Sequence, residues 1–148
     1  MWPLPTSAAN GQVGSTGHQA RERTVTQQHW RIWSQSREWE IKWPVIRRSY
    51  AVRDGVAAGA FALDRTYLLD LLLEAYPRLA SLFEPGCAIR LERAADPDVA
   101  DRRYFLVTAM TSLPVGEALA RMDRFADEWW LSHIARAGRD LVFVVDFA

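Results

Sequence analysis

Arg102-Arg-Tyr-Phe-Leu-Val-Thr-Ala-Met-Thr111 is the stretch on which the fold of this chain depends most. Its middle is apolar on both sides of a two-residue period, which is typical of a strand in the interior of a sheet. The stretch from Cys87 to Glu92 also alternates apolar and polar residues, as a strand does. A polar turn containing Asp96-Pro97 lies between the two stretches. We therefore predict that they pair as a hairpin.

Helical spacing of apolar residues predicts one helix on each side of this hairpin. The first covers Leu68–Phe83, where Pro77 should kink the helix or begin a second short one. The second begins at Pro114, and its apolar stripe continues to Trp129. After it, Leu141-Val-Phe-Val-Val145 is wholly apolar, which predicts a short strand buried on both faces.

Two stretches of the sequence are candidates for the first strand. Trp39–Val52 alternates from Glu38 onward, although Pro44 interrupts it, and Val56–Leu63 could return as the second arm of a hairpin through Asp54-Gly55. Either stretch, or both paired, completes a β-α-β-β-α-β order. That order predicts an α+β two-layer sandwich of ferredoxin-like type, with an antiparallel sheet and two helices on one face.

The N-terminal third has a different composition from the rest. Residues 1–28 lack a hydrophobic period and predict a disordered tail, because they cannot bury enough surface to offset their ordering entropy. Residues 29–148 then form a single domain, in which 29–52 is a tryptophan-rich arm or an extra strand. The aromatic residues of this arm are candidates for a partner-binding surface: Trp30, Trp33, Trp39 and Trp43.

Composition and charge narrow the class of protein. The chain of 148 residues fits one domain, and its single cysteine, Cys87, excludes an internal disulfide and favours a reducing cytoplasm. No apolar run approaches the ~20 residues that a membrane helix needs. Residues 1–53 hold eight Arg or Lys against three Glu, and residues 54–148 hold ten Arg against fifteen Asp or Glu. This asymmetry indicates two parts that attract each other, or a basic arm and an acidic partner surface.

The end of the second predicted helix holds the other candidate binding residues. Its period places Trp129 in the core, whereas Trp130 lies at the edge of the stripe near Asp123 and Asp127. His133 follows the same stripe and is expected to be a packed or helix-ending histidine. We predict that Trp130, the two aspartates and His133 contribute to a partner surface.

The sequence holds no motif that predicts catalysis, a metal or a cofactor. It lacks a Gly-rich phosphate loop, Cys and His at metal spacing, and a serine nucleophile elbow. We therefore predict a non-catalytic interaction or accessory module, self-associating or bound to a protein partner and not to a membrane. One alternative is single-stranded nucleic-acid binding through the sheet face and the basic arm, which the acidic balance of residues 54–148 disfavours. The other is a hydrolase that uses Asp123, Asp127 and His133.

Part of the chain resembles a known group of proteins. The shared features are Leu68-Leu-Asp-Leu-Leu-Leu-Glu-Ala-Tyr-Pro77, the Asp96-Pro97 turn, Glu117-Ala-Leu119 and Arg124-Phe-x-x-Glu-Trp-Trp-Leu131. From about Thr66 to Phe147 the chain is similar to small bacterial proteins that share this double-tryptophan helix. Ala126 stands where the group has an acidic residue. The group has no known activity, so the resemblance implies a small bacterial protein and assigns no site residues.

Overall fold

A computed structural model describes the backbone of residues 4–148 and the side chains of residues 27–148. The elements are, in chain order, α1 (Leu4–Ser49), β1 (Ala51–Val52), α2 (Gly55–Asp64), α3 (Tyr67–Leu82), β2 (Ala88–Ala95), β3 (Arg103–Thr111), α4 (Val115–Phe125), a π-helical turn (Ala126–Trp130), α5 (Leu131–Ala137) and β4 (Leu141–Phe147). The chain separates into two compact units, Met1–Arg37 and Glu38–Ala148. The predicted disordered tail, residues 1–28, lies almost wholly outside the residues whose side chains are described and stays a prediction.

The four strands form one mixed sheet in the order β1-β2-β3-β4. The predicted hairpin of β2 and β3 is confirmed, since these strands are antiparallel, whereas β1 is parallel to β2 and β3 is parallel to β4. The α+β class is therefore confirmed, and the ferredoxin-like, antiparallel sheet is wrong. The physical reason is that each helical crossover joins two neighbouring parallel strands.

Both candidates for the first strand are largely helical, which corrects the prediction. Trp39, Trp43, Ile46 and Tyr50 recur at intervals of four, three and four residues, so α1 turns one side toward the core of the second unit. Only the two residues of β1, at the end of the Trp39–Val52 stretch, join the sheet.

The stretch Val56–Leu63, predicted as a possible returning strand, belongs to helix α2. Asp54 has φ 47° and caps this helix by accepting a hydrogen bond from the backbone N–H of Ala57. Its buried face is built from small side chains and a single large one, Phe61. The alanines that make a weak strand therefore make a good helix.

Register assigns the side chains of the sheet to two faces, because residues directly opposite each other on paired strands point the same way. One face packs against the helices and carries Ile89, Leu91, Phe105, Val107, Ala109, Leu141 and Phe143. Phe105 contacts Trp43 of α1 and Phe61 of α2, with ring centroids 6.4 and 4.7 Å away. Phe143 contacts the helices that follow β3. The core of the second unit therefore lies between this face and the helices.

The two predicted long helices are confirmed with differences in detail. Helix α3 is continuous through Pro77, so the predicted second helix does not form. The helix after Pro114 passes from α4 into a π-helical turn, where the backbone N–H of Leu131 donates to the carbonyl of Ala126 five residues earlier. Strand β4 is present, although Val142 is exposed, so the prediction of burial on both faces is wrong.

Candidate functional site

The most exposed aromatic group among the described side chains lies in the first unit. Trp30 and Trp33 are 66% and 53% exposed, and their rings stack with centroids 5.2 Å apart. Ile32 beside them is 64% exposed. We call Trp30, Ile32 and Trp33 the aromatic segment. Three large apolar side chains so exposed on one helix are unusual, since Trp is normally highly buried.

The other two tryptophans of the predicted arm belong to the interior of the second unit. Trp43 is 4% exposed and stacks on Phe105. Trp39 is half-buried, and its indole N–H donates to the carbonyl of Gly59 at 3.0 Å. Both rings bind α1 to α2 and the sheet, so their surfaces are already occupied within the chain.

An ion-pair cluster fixes the same part of α1 to α3. The Nζ of Lys42 lies 2.6 Å from a carboxylate oxygen of Glu38 and 2.7 Å from one of Asp70. These two carboxylates, Asp70 foremost, raise the pKa of Lys42. The second unit therefore positions its share of α1 through both packing and charge.

The double tryptophan lies in the π-helical turn and packs inward. Trp129 is 3% and Trp130 8% exposed, and both contact Phe143 of β4, with ring centroids 6.4 and 4.7 Å away. The placement of Trp129 in the core is confirmed. The turn holds one more residue than an α-helical turn, which brings Trp130 to the buried side as well. Asp123 and Asp127 remain exposed on the same helical run.

His133 is held against the double tryptophan. Its ring stacks on Trp129 with centroids 4.7 Å apart, and its Nδ1 lies 2.7 Å from the carbonyl oxygen of Trp129. Nδ1 is therefore the donor of this hydrogen bond, which leaves Nε2 as the free ring nitrogen. Of the two expectations, a packed or a helix-ending histidine, this geometry is that of a packed one, because α5 continues past His133 to Ala137.

The cleft between α3 and α4 does not gather the predicted acidic residues and His133. The cleft between α3 and α4 is lined by Arg78, Ser81, Leu82, Arg124, Phe125, Glu128 and Trp129. Asp123, Asp127 and His133 lie outside this lining. Within residues 27–148, no three His, Cys, Asp or Glu side chains are grouped as metal ligands. None of the helices in the described region has the length and hydropathy of a membrane span.

Sequence reasoning missed Ile32 and the exposed outer side of α1 in the second unit. Ile41 and Val45, four residues apart on one helical face, are both largely exposed. The helical spacing of Trp39, Trp43 and Ile46 was the signal that could have predicted these positions. With that spacing, the residues between the buried ones must face outward.

No protein family, curated protein or solved structure matches this chain.

Proposed function

We propose that this chain is a small, non-catalytic protein–protein interaction module of the cytoplasm, and that the aromatic segment is its contact surface. The observation that carries the proposal is the exposed pair of stacked rings, Trp30 and Trp33. Trp is the residue most enriched among interface anchors, because a large rigid ring buries much surface at small entropic cost.

The energetics of the helix support the same proposal. Most helical stability in proteins comes from burying an apolar side and not from helix propensity. Each Trp can bury about 150–250 Å² when covered, worth several kcal/mol at ~25 cal/mol per Å². A protein surface that covers Trp30 and Trp33, which share one side of the helix, would therefore stabilise the segment and gain affinity from it.

Charge gives the segment a preference among partners. Residues 1–37 hold four Arg and one Glu, a net charge of +3, so residues 38–148 carry −3. Arg31 lies between the two tryptophans in sequence, and Arg37 follows them. A partner surface with acidic groups around an apolar centre fits this segment best.

A photo-crosslinking experiment tests the proposal. We expect a photoreactive phenylalanine analogue at position 33, introduced into the full chain in its native host, to give a defined crosslinked product with a protein. The same analogue at Leu119, an exposed apolar position on α4 of the second unit, is the matched control and should give none. Equal crosslinking from both positions, or none from position 33, would contradict the proposal.

A separate measurement tests whether the partner is a nucleic acid. Fluorescence anisotropy with a labelled single-stranded oligonucleotide should show no saturable binding by the purified chain. Binding that weakens steeply with added salt would instead indicate phosphate contacts and favour the nucleic-acid reading of the same rings.

A further inference from the structure

The second face of the sheet carries apolar side chains away from the helices. Register places Tyr104, Leu106 and Met110 of β3 on it, next to Val142 and Val144 of β4. We call these five residues the open sheet face. The helix contacts made by Phe105 and Phe143 all lie on the opposite face.

The exposure of these side chains shows that the open sheet face is accessible. Val142 is 38% exposed, and the other four members are partly exposed. Thr108, at the centre of this face, is 5% exposed and is shielded by its neighbours. Charged side chains border this face on the β2 side, where Arg90 lies opposite Thr108 and Glu92 opposite Leu106, and at one end, where Asp146 lies opposite Met110. Glu92 also pairs with Arg53 at 3.6 Å. The five apolar side chains therefore form a strip along β3 and β4, and exposed apolar strips with a polar border are typical of interfaces.

A groove at one end of this face has room for an aromatic ring. Its lining consists of Asp96, Pro97, Arg102, Tyr104, Arg139 and Val142. Its volume is about 390 Å³, within the ~300–1,000 Å³ range of ligand pockets. The guanidinium of Arg102 donates to the carbonyl of Arg139 at 3.0 Å and lies 3.7 Å from Asp96, so its charge is engaged at the rim.

We propose that the partner is a second copy of this chain, whose aromatic segment lies on the open sheet face with a tryptophan in this groove. This inference rests on the proposed function, because it names the partner of the same segment. The chain itself supplies both halves of the contact. The net charges of +3 over residues 1–37 and −3 over residues 38–148 are opposite in sign, which favours approach of the segment of one copy to the body of another, whereas the groove itself holds Arg102 and Arg139 against Asp96.

The area of the contact favours a reciprocal dimer. A stable interface buries about 800 Å² per partner, and two tryptophans supply only about 300–500 Å² of it. In a two-fold dimer each copy gives one aromatic segment and receives another, so the buried area doubles. A single contact is therefore smaller than a standard interface, whereas the two contacts of a two-fold dimer together reach that size.

Multi-angle light scattering over a concentration series of about 1–100 μM tests the proposal, since modest interfaces dissociate in that range. The native chain should approach twice the 16.9 kDa of one copy. Losing one interface anchor raises the dissociation constant about thirtyfold, and each of two variants loses an anchor in both contacts of the two-fold dimer, so each should raise it roughly a thousandfold. One combines Trp30→Ala with Trp33→Ala, and the other is Val142→Lys. Leu119→Lys places the same charge at an exposed apolar site on α4, away from the open sheet face, and should not change the mass.

Mixing the two variants distinguishes this arrangement from other dimers. The sheet-face variant keeps its aromatic segment and the segment variant keeps its sheet face, so an equimolar mixture should recover one of the two contacts. The mixture should therefore dimerise more tightly than either variant alone. No recovery would overturn the proposal in favour of segment-to-segment or face-to-face association. Should Val142→Lys fail to fold by circular dichroism, Tyr104→Ser removes the ring from the same groove and serves instead.

A monomeric native chain at every concentration would also overturn the second copy as partner. The proposed function would survive that result if position 33 still crosslinks to a different protein. The two proposals therefore fail separately.

Discussion

Glu84 is the residue whose charge contributes most clearly to the fold. One of its carboxylate oxygens accepts from the backbone N–H of Ser112 at 2.7 Å, and the other accepts from the hydroxyl of Thr111 at 2.7 Å. These hydrogen bonds, that of the Ser112 backbone first, lower the pKa of Glu84 from 4.5 to about 2. The carboxylate joins the end of α3 to the end of β3.

The depressed pKa makes the contribution of Glu84 dependent on pH. A carboxylate whose pKa is lower in the folded chain stabilises the fold above its unfolded value, and that stability is lost as pH falls toward about 2. Glu84→Gln should therefore lower the free energy of unfolding at pH 7, with a difference from the native chain that shrinks below about pH 5. Urea denaturation across this range measures it. The control is Asp123→Asn on an exposed helical surface, and a Glu84→Gln difference that stays constant with pH would contradict the prediction.

At the scale of elements, the sequence predicted the helices and strands that have a single local pattern. It predicted the wrong element where one stretch fits both a helical and a strand pattern. The hairpin of β2 and β3 and the helix α3 were predicted, because each has one period over many residues. Trp39-Glu-Ile-Lys-Trp43 fits both a two-residue alternation and a helical stripe. Its helical form is selected by contacts distant in sequence, such as the indole of Trp39 on the Gly59 carbonyl, which local spacing does not contain.

Prediction of the strand order and of the candidate site was limited in the same way. A two-residue strand such as β1 leaves almost no periodic signal, so its parallel pairing with β2 was not predictable. Trp30 and Trp33 were identified as binding candidates from composition, yet the burial of Trp43 and Trp130 depends on Phe105 and Phe143 of distant strands. Which tryptophans are exposed is therefore decided by the folded chain and not by the local sequence.

The π-helical turn makes a prediction about deletions. Because this turn holds one residue more than an α-helical turn, deleting the exposed Asp127 lets Ala126–Trp130 close into α-helix with little displacement of its neighbours. Deleting the exposed Ala120 from regular α4 instead rotates the buried Phe125 by about 100° relative to the first turn. The melting temperature should therefore fall much less without Asp127 than without Ala120. If circular dichroism shows that both deletions lower the melting temperature equally, the π-helical turn does not hold an extra residue that the helix can lose.

At the scale of the whole molecule, the division at Arg37 and Glu38 predicts where the chain can be shortened. Deleting residues 1–37 keeps Trp43 and Ile46 of α1 and Tyr50, which directly follows this helix, and all three are buried in the second unit. The truncated chain should therefore unfold cooperatively with an unchanged midpoint in urea. Deleting residues 1–50 removes all three, and since each large buried side chain contributes about 2–5 kcal/mol, that product should not fold. Circular dichroism and urea titration separate the two truncations. A folded product of the longer deletion would show that α1 is dispensable to the core, whereas an unfolded product of the shorter one would place part of the core before Glu38. With both expected results, the part of α1 after Glu38 is needed to close the core. The part before it, which carries Trp30 and Trp33, is not needed for folding.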